Sequence, residues 1–195
     1  MNTGLQALLE EIRELENRVM VEVSREAEQF GYSLRQGRVA IEQEVARKHR
    51  LLATRIRTYL AESSLLVMAT APVVYSLVLP LALLDVFAWL YQAICFPIYG
   101  IPKVRRADYL IFDRHRLQYL NAIERAHCLY CSYANGLLAY VGEIAARTEQ
   151  FWCPVKHARR VKGAHSRYYR FLAYGDAEHY TRDLERLRRE FSDLQ

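Results

Sequence analysis

From Leu65 to Ile101 the chain carries a single charged side chain, Asp85, and basic residues crowd both ends of that run. Hydrophobic residues are 52% of the 195 positions, yet mean hydropathy is only −0.13, so the apolar character is concentrated here and the flanks are polar. Leu65 to Leu84 alone supplies about 20 uncharged residues, the length that crosses a ~30 Å hydrocarbon layer as a helix. The apolar character resumes at Val86, which one crossing leaves unexplained. Dividing the run near Asp85 gives two legs of about 16 to 20 residues, each reaching roughly 25 to 30 Å. The expectation is therefore a membrane hairpin or re-entrant segment over residues 63–102, with Asp85 touching water at its tip. The rival reading of Asp85, a carboxylate on a proton or ion path, would need more intramembrane polar partners than Gln92 and a few hydroxyls. A buried helical hairpin in a globular domain is the soluble alternative.

Arg47, Lys48, Arg50, Arg55 and Arg57 precede the run and Lys103, Arg105 and Arg106 follow it. Basic residues beside a membrane segment stay cytoplasmic, so both soluble regions are expected on that face of the membrane. The opening residues lack a basic stretch followed by an apolar core, so no cleaved signal peptide is expected. Formal charge is +5. The excess suits anionic lipid headgroups at Lys103, Arg105, Arg106, Arg159, Arg160 and Lys162. Nucleic acid is the competing partner, because the last three residues lie close to Tyr168, Tyr169 and Phe171, but proximity to the membrane favours lipid.

The fold class expected is all-α. Residues 1–62 repeat apolar side chains at steps of three or four (Leu5, Leu8, Ile12, Leu15, Val19, Val23), which predicts a long amphipathic helix, divided near Gly31–Gly37. That stripe fits a coiled coil joining two copies or docking a protein partner, and equally a helix packed within the chain. In residues 103–195 the same periodicity predicts helices over Asp108–His127 and Gly136–Phe151. A last helix follows, capped by Asp176, whose Tyr180, Leu184, Leu187 and Phe191 stripe is ready to pair with the N-terminal rod.

Cys128-Leu-Tyr-Cys131 and Cys153-Pro-Val-Lys-His157 are two pairs at metal-ligand spacing. In a reducing cytosol Cys128, Cys131, Cys153 and His157 make a Cys3His set for structural Zn²⁺, in a small helical metal-binding region. A [2Fe–2S] centre is the alternative, giving a membrane-anchored redox protein. Simple packing of buried cysteines is the third reading. Glu124 and His127 match a Glu-x-x-His element without a second copy, which makes them surrounding or alternative ligands. Phosphate-loop, metalloprotease, hydrolase and dinucleotide signatures are absent, so no enzymatic activity is read from the chain.

The stretch Ile94-Cys-Phe-Pro-Ile-Tyr-Gly-Ile-Pro-Lys-Val-Arg-Arg106, with Asp113-Arg-His115, Tyr119-Leu-Asn121, Cys128-x2-Cys131-x-Tyr-Ala-Asn-Gly136 and Ile144 to His157, resembles a family of uncharacterised bacterial membrane proteins. The resemblance implies a bacterial source and a membrane location, hence the inner membrane, and carries no mechanism. The combined expectation is a membrane-anchored metal-binding scaffold or interaction protein.

Overall fold

The structure, a computed structural model, describes residues 3–29, 32–35, 38–41 and 43–194. Helix dominates the described residues, with one small hairpin, and the contacts separate two compact units: Met1–Ser64 with Asp113–Cys128, and Leu65–Phe112 with Leu129–Gln195.

In the first unit, helix α1 (Thr3–Gln29) carries the expected stripe. The rod does not continue: strands β1 (Tyr32–Arg35) and β2 (Arg38–Ile41) pair antiparallel, with Tyr32 opposite Ile41. Gly31 and Gly37 fall outside the described residues. Short helices α2 (Gln43–Leu52) and α3 (Ile56–Glu62) follow. The returning segment of this unit meets α2: Arg50 Nε donates to Gln118 Oε1 at 3.2 Å, and His49 meets the Tyr119 ring edge-on at 5.4 Å between centroids.

In the second unit, α4 (Leu65–Ser76) and α5 (Val78–Tyr99) run on with only a turn at Leu77 between them. Leu77 is itself right-handed helical, and its N–H reaches the Val74 carbonyl at 3.3 Å while Leu81 N–H reaches Leu77 at 3.1 Å. Pro80 has no N–H to give Ser76, so the junction tightens there instead of continuing regularly. Asp85 sits inside α5. The expected two-legged hairpin with its tip at Asp85 is thus corrected to one long apolar helix interrupted at Leu77. Gly100, at φ 68°, ends α5, with Ile101 N–H bonding back to Phe96 at 2.9 Å. Glycine is favoured at that left-handed position, and Pro102 blocks resumption.

Ile101 to Phe112 then returns along α5 in extended and turn conformation, with one short 3-10 turn at Arg106–Asp108. The helix expected over Asp108–His127 does not form before Ala122. Ile101, Val104 and Leu110 are instead buried along the groove between α5 and α6, an arrangement a helix would destroy. Helix α6 (Ala122–Trp152) starts at a capping box: Asn121 Oδ1 accepts from the Ile123 and Glu124 N–H groups at 3.0 Å each, and Glu124 Oε2 accepts from Asn121 N–H at 2.8 Å. Asp85 lies by Tyr133, Gln92 by Tyr140 and Tyr91 by Thr148, so α5 and α6 run parallel.

The core forms where these three pieces meet: Phe96, Leu137 and Tyr140 are almost wholly enclosed, joined by Ala88, Ile101, Val104, Ile144 and Phe191. Helix α7 (Ala177–Arg189) is capped as expected, Asp176 Oδ1 accepting from His179 N–H at 3.2 Å. Leu187 and Phe191 of its stripe are buried within this unit, so that seam is occupied locally.

Gly136 faces the return segment so closely that a Cβ there would lie 2.6 Å from the Tyr109 carbonyl oxygen and 3.1 Å from Leu110 Cα. Gly142, on the same helix, faces open space. Gly136→Ala is expected to destabilise by about 1–3 kcal/mol through displaced backbone. Gly142→Ala should stabilise by up to ~1 kcal/mol through helix propensity. Thermal melts of the two variants check the contrast; equal shifts would mean the return segment does not pack on α6.

Candidate functional site

Helix α6 decides the fate of the cysteine motif. Cys128 and Cys131 are interior positions of one uninterrupted helix, whereas Cys153 follows its last residue. Cys131 and Cys153 therefore stand about 33 Å apart along the axis at 1.5 Å per residue. No group of three or more His, Cys, Asp or Glu among the described residues is arranged to hold a metal ion. The Cys3His set does not converge, and the [2Fe–2S] reading, which needs the same ligands, fails the same fit. All four cysteines are free thiols. His157 stacks on Tyr168 at 5.9 Å, and its backbone N–H donates to the Tyr168 hydroxyl at 3.0 Å. Glu124 serves the helix cap, and His127 lies one turn further along α6.

The chemistry-bearing side chains that do converge were not visible as a motif. Arg167 is only 2% exposed. Its guanidinium donates to Gln150 Oε1 at 2.5 Å, Asp193 Oδ2 at 2.6 Å and the Glu190 carbonyl at 2.9 Å, and lies over the Phe191 ring. Gln150 Nε2 donates to the carbonyls of Leu187 and Glu190, and Arg170 adds a second cation 3.0 Å from Asp193. Nearby, Arg147 donates to Glu143 Oε1 at 2.9 Å and to the Pro102 carbonyl at 2.7 Å, while Ser166 donates to the other Glu143 oxygen. His165 Nδ1 accepts from Arg167 N–H, which assigns the ring proton to Nε2, donated to Glu149 at 2.9 Å.

This cluster has no nucleophile poised on a base, since Ser166 and His165 serve different carboxylates. It binds the C-terminal segment to the polar side of α6. Its one sequence trace is the spacing of Glu143, Arg147 and Gln150 on one helical face.

A second cluster surrounds Asp85. Arg106 donates to both of its carboxylate oxygens, at 3.2 and 2.6 Å, and the Tyr133 hydroxyl donates to Oδ2 at 3.2 Å. Asp85 is thus the anchor of the return segment, neither a hairpin tip nor an isolated carboxylate. Burial, reinforced by the Asp85 charge, pushes the Tyr133 phenol above its ordinary range and keeps it a donor. Of the residues assigned to lipid headgroups, Arg106 is engaged by this ion pair, while Lys103, Arg105, Arg159, Arg160 and Lys162 are exposed.

Between α5 and α6 lies an open, mostly apolar groove lined by Leu84, Phe87, Tyr91, Val141 and Ala145, with Glu149 also in its lining. Among the described residues, one helix, Leu65–Tyr99, is long and apolar enough to cross a membrane, and 6% of its most apolar window is buried. Comparison with protein-family models, with curated proteins and with solved structures finds no match to this chain.

Burial raises the Asp193 carboxyl, but hydrogen bonding and charge from Arg167, with Arg170, outweigh it and leave the group below its ordinary value. A depressed carboxylate stabilises the fold above its unfolded pKa and loses that contribution as pH falls through the folded value. Acid melts should therefore show a loss of stability below about pH 4 that Asp193→Asn reduces. Asp193→Ala, which leaves Arg167 without its carboxylate, should cost ~3 kcal/mol at neutral pH. By contrast Cys131→Ser should shift stability by no more than ~0.5 kcal/mol, because it is an exposed position without a ligand role. A collapse of the fold in that variant, with loss of bound metal, would restore the ligand assignment.

Proposed function

We propose that this protein is a membrane-anchored helical interaction protein, a scaffold without catalysis of its own. The carrying observation is the exposure of the Leu65–Tyr99 helix, whose most apolar window is 6% buried. An apolar surface of this length has no place in water and marks a membrane or protein contact. Helix α4 makes lipid the better fit, because it is apolar on every side and has no buried residue. A helix apolar all round is covered all round, by a protein core or by acyl chains. The resemblance to bacterial membrane proteins and the basic flanks support the same location, with the soluble parts facing the cytoplasm.

The interaction element is α1. Leu8, Ile12, Leu15 and Val19 keep the stripe of a coiled-coil seam and are each about half exposed, from 48% to 60%. Glu11 and Arg18 flank this seam. In an antiparallel pair of α1 helices Ile12 meets Leu15 and Leu8 meets Val19 of the second copy, which sets Glu11 beside its Arg18. A parallel pair sets Glu11 against Glu16. Charge complementarity thus favours an antiparallel self-association.

Leu15→Asp, placing a charge in that seam, is expected to weaken self-association at least tenfold in detergent, measured by analytical ultracentrifugation. Because Leu15 is exposed in the single chain, the melting of the second unit should be unchanged. An unaltered oligomeric state would remove α1 from the interface.

A further inference from the structure

We infer that the α4–α5 helix lies within one leaflet of a bilayer rather than crossing it, so that the partner of its exposed face is the acyl layer of that leaflet. This rests on the anchoring reading above and says how the anchor sits. Leu79, Leu83, Val86, Leu90 and Ile94 recur at steps of three and four on one face of α5, each between 43% and 69% exposed. The opposite face, at Ala88, Gln92 and Phe96, is buried. It is covered by the return segment and α6, and the return segment carries Lys103, Arg105, Arg106 and Asp108 at its surface. Crossing with α5 would take those charges, and a non-helical backbone, through the hydrocarbon.

Helix α4 cannot cross alone, since 12 residues reach about 18 Å. Nor can α4 together with the first turns of α5 cross. The first unit fixes the sidedness of the chain before and after the run, because His49 touches Tyr119 and Arg50 bonds Gln118. Both flanks therefore share one side, and the number of crossings between Leu52 and Asp113 is even. The return path from Ile101 to Phe112 has no apolar helix to supply a second crossing, and the linker through Arg55, Arg57 and Glu62 has none either. The even number left is zero. A second protein chain is a poorer occupant: a protein contact would use one face of α4, and α4 is apolar on all of them. Apart from the Tyr75 side, which meets the Tyr130 ring edge-on at 5.3 Å, acyl chains cover the faces of α4 at once, and Trp89, 59% exposed on the flank of the α5 face, is suited to the headgroup boundary.

The test uses the full chain with vesicles of phosphatidylcholine and phosphatidylglycerol. The chain holds 2 tryptophans, so Trp152→Phe leaves Trp89 as the sole reporter. Lipids brominated near the headgroup should quench it more strongly than lipids brominated near the chain ends. Reporter fusions after Ser64 and after Gly100 should read the same side in cells. Replacing exposed Leu83 and Leu90 together by Asp should reduce vesicle flotation at least tenfold while leaving the melting curve in place. Deep quenching with fusions on opposite sides would overturn the in-leaflet placement and leave the anchoring reading standing. Absence of flotation by the unaltered protein would overturn both. Flotation untouched by the double aspartate variant, or a vesicle-free dimer that this variant dissolves, would overturn the inference by assigning the face to another occupant.

Discussion

The second unit depends on one buried amide. Gln92, with Asp85 one of the few polar residues of α5, accepts the Val104 N–H at 2.6 Å through Oε1 and donates through Nε2 to the Val104 carbonyl and the Tyr140 hydroxyl. Two parallel helices require the chain to travel back between them, and an extended segment buried without strand neighbours would leave its peptide groups unpaired. Gln92 satisfies both groups of the central residue and ties them to α6. Arg147 does the same for the Pro102 carbonyl, and Asp85 holds Arg106 further along. Each polar exception in α5 therefore marks a point where the return segment is fastened, with Gly136 opening the space opposite.

That arrangement divides the unit by chemistry. One side of α6 carries the Glu143, Arg147 and Gln150 row and receives the C-terminal segment through Arg167. A buried ion pair contributes little net stability, because desolvation offsets its attraction, but it tolerates no unpaired partner and so specifies one arrangement. The free side of α5 has no such row. Along that side Leu79, Leu83, Val86, Leu90 and Ile94 are exposed and uncharged, which suits the proposed contact with lipid. On the proposed placement, anchor and soluble part are two faces of the same helix pair rather than two modules joined by a linker.

Much of this was legible in the residues. The apolar run, the helical periodicity of α1 and the Asp176 cap follow from local pattern. The capping box at Asn121 and Glu124 was equally local, and its Glu had a plainer role than metal chemistry. Other features were beyond local reading. Asp85 suggests a turn when judged by its charge alone; its partners Arg106 and Tyr133 lie 21 and 48 positions away. The two cysteine pairs look alike in spacing to a metal site, but spacing says nothing of whether the intervening chain doubles back or runs straight. Here it runs straight, as α6.

The sequence by itself determined that a long uncharged helix must be covered by something other than water, since no side-chain choice within Leu65–Leu84 offers it a polar face. It also set the amphipathic stripe of α1, where the period of the apolar positions leaves no other element to form. Only the tertiary structure decided which residues meet: that Gln92 clamps Val104, that Arg167 reaches Asp193, and that Cys131 and Cys153 never approach. Those outcomes depend on long-range closure, where the gain from burying Phe96, Leu137 and Tyr140 together overrides the local preference of residues 108–121 for helix. Local pattern fixes what each segment needs, and packing fixes which partner supplies it.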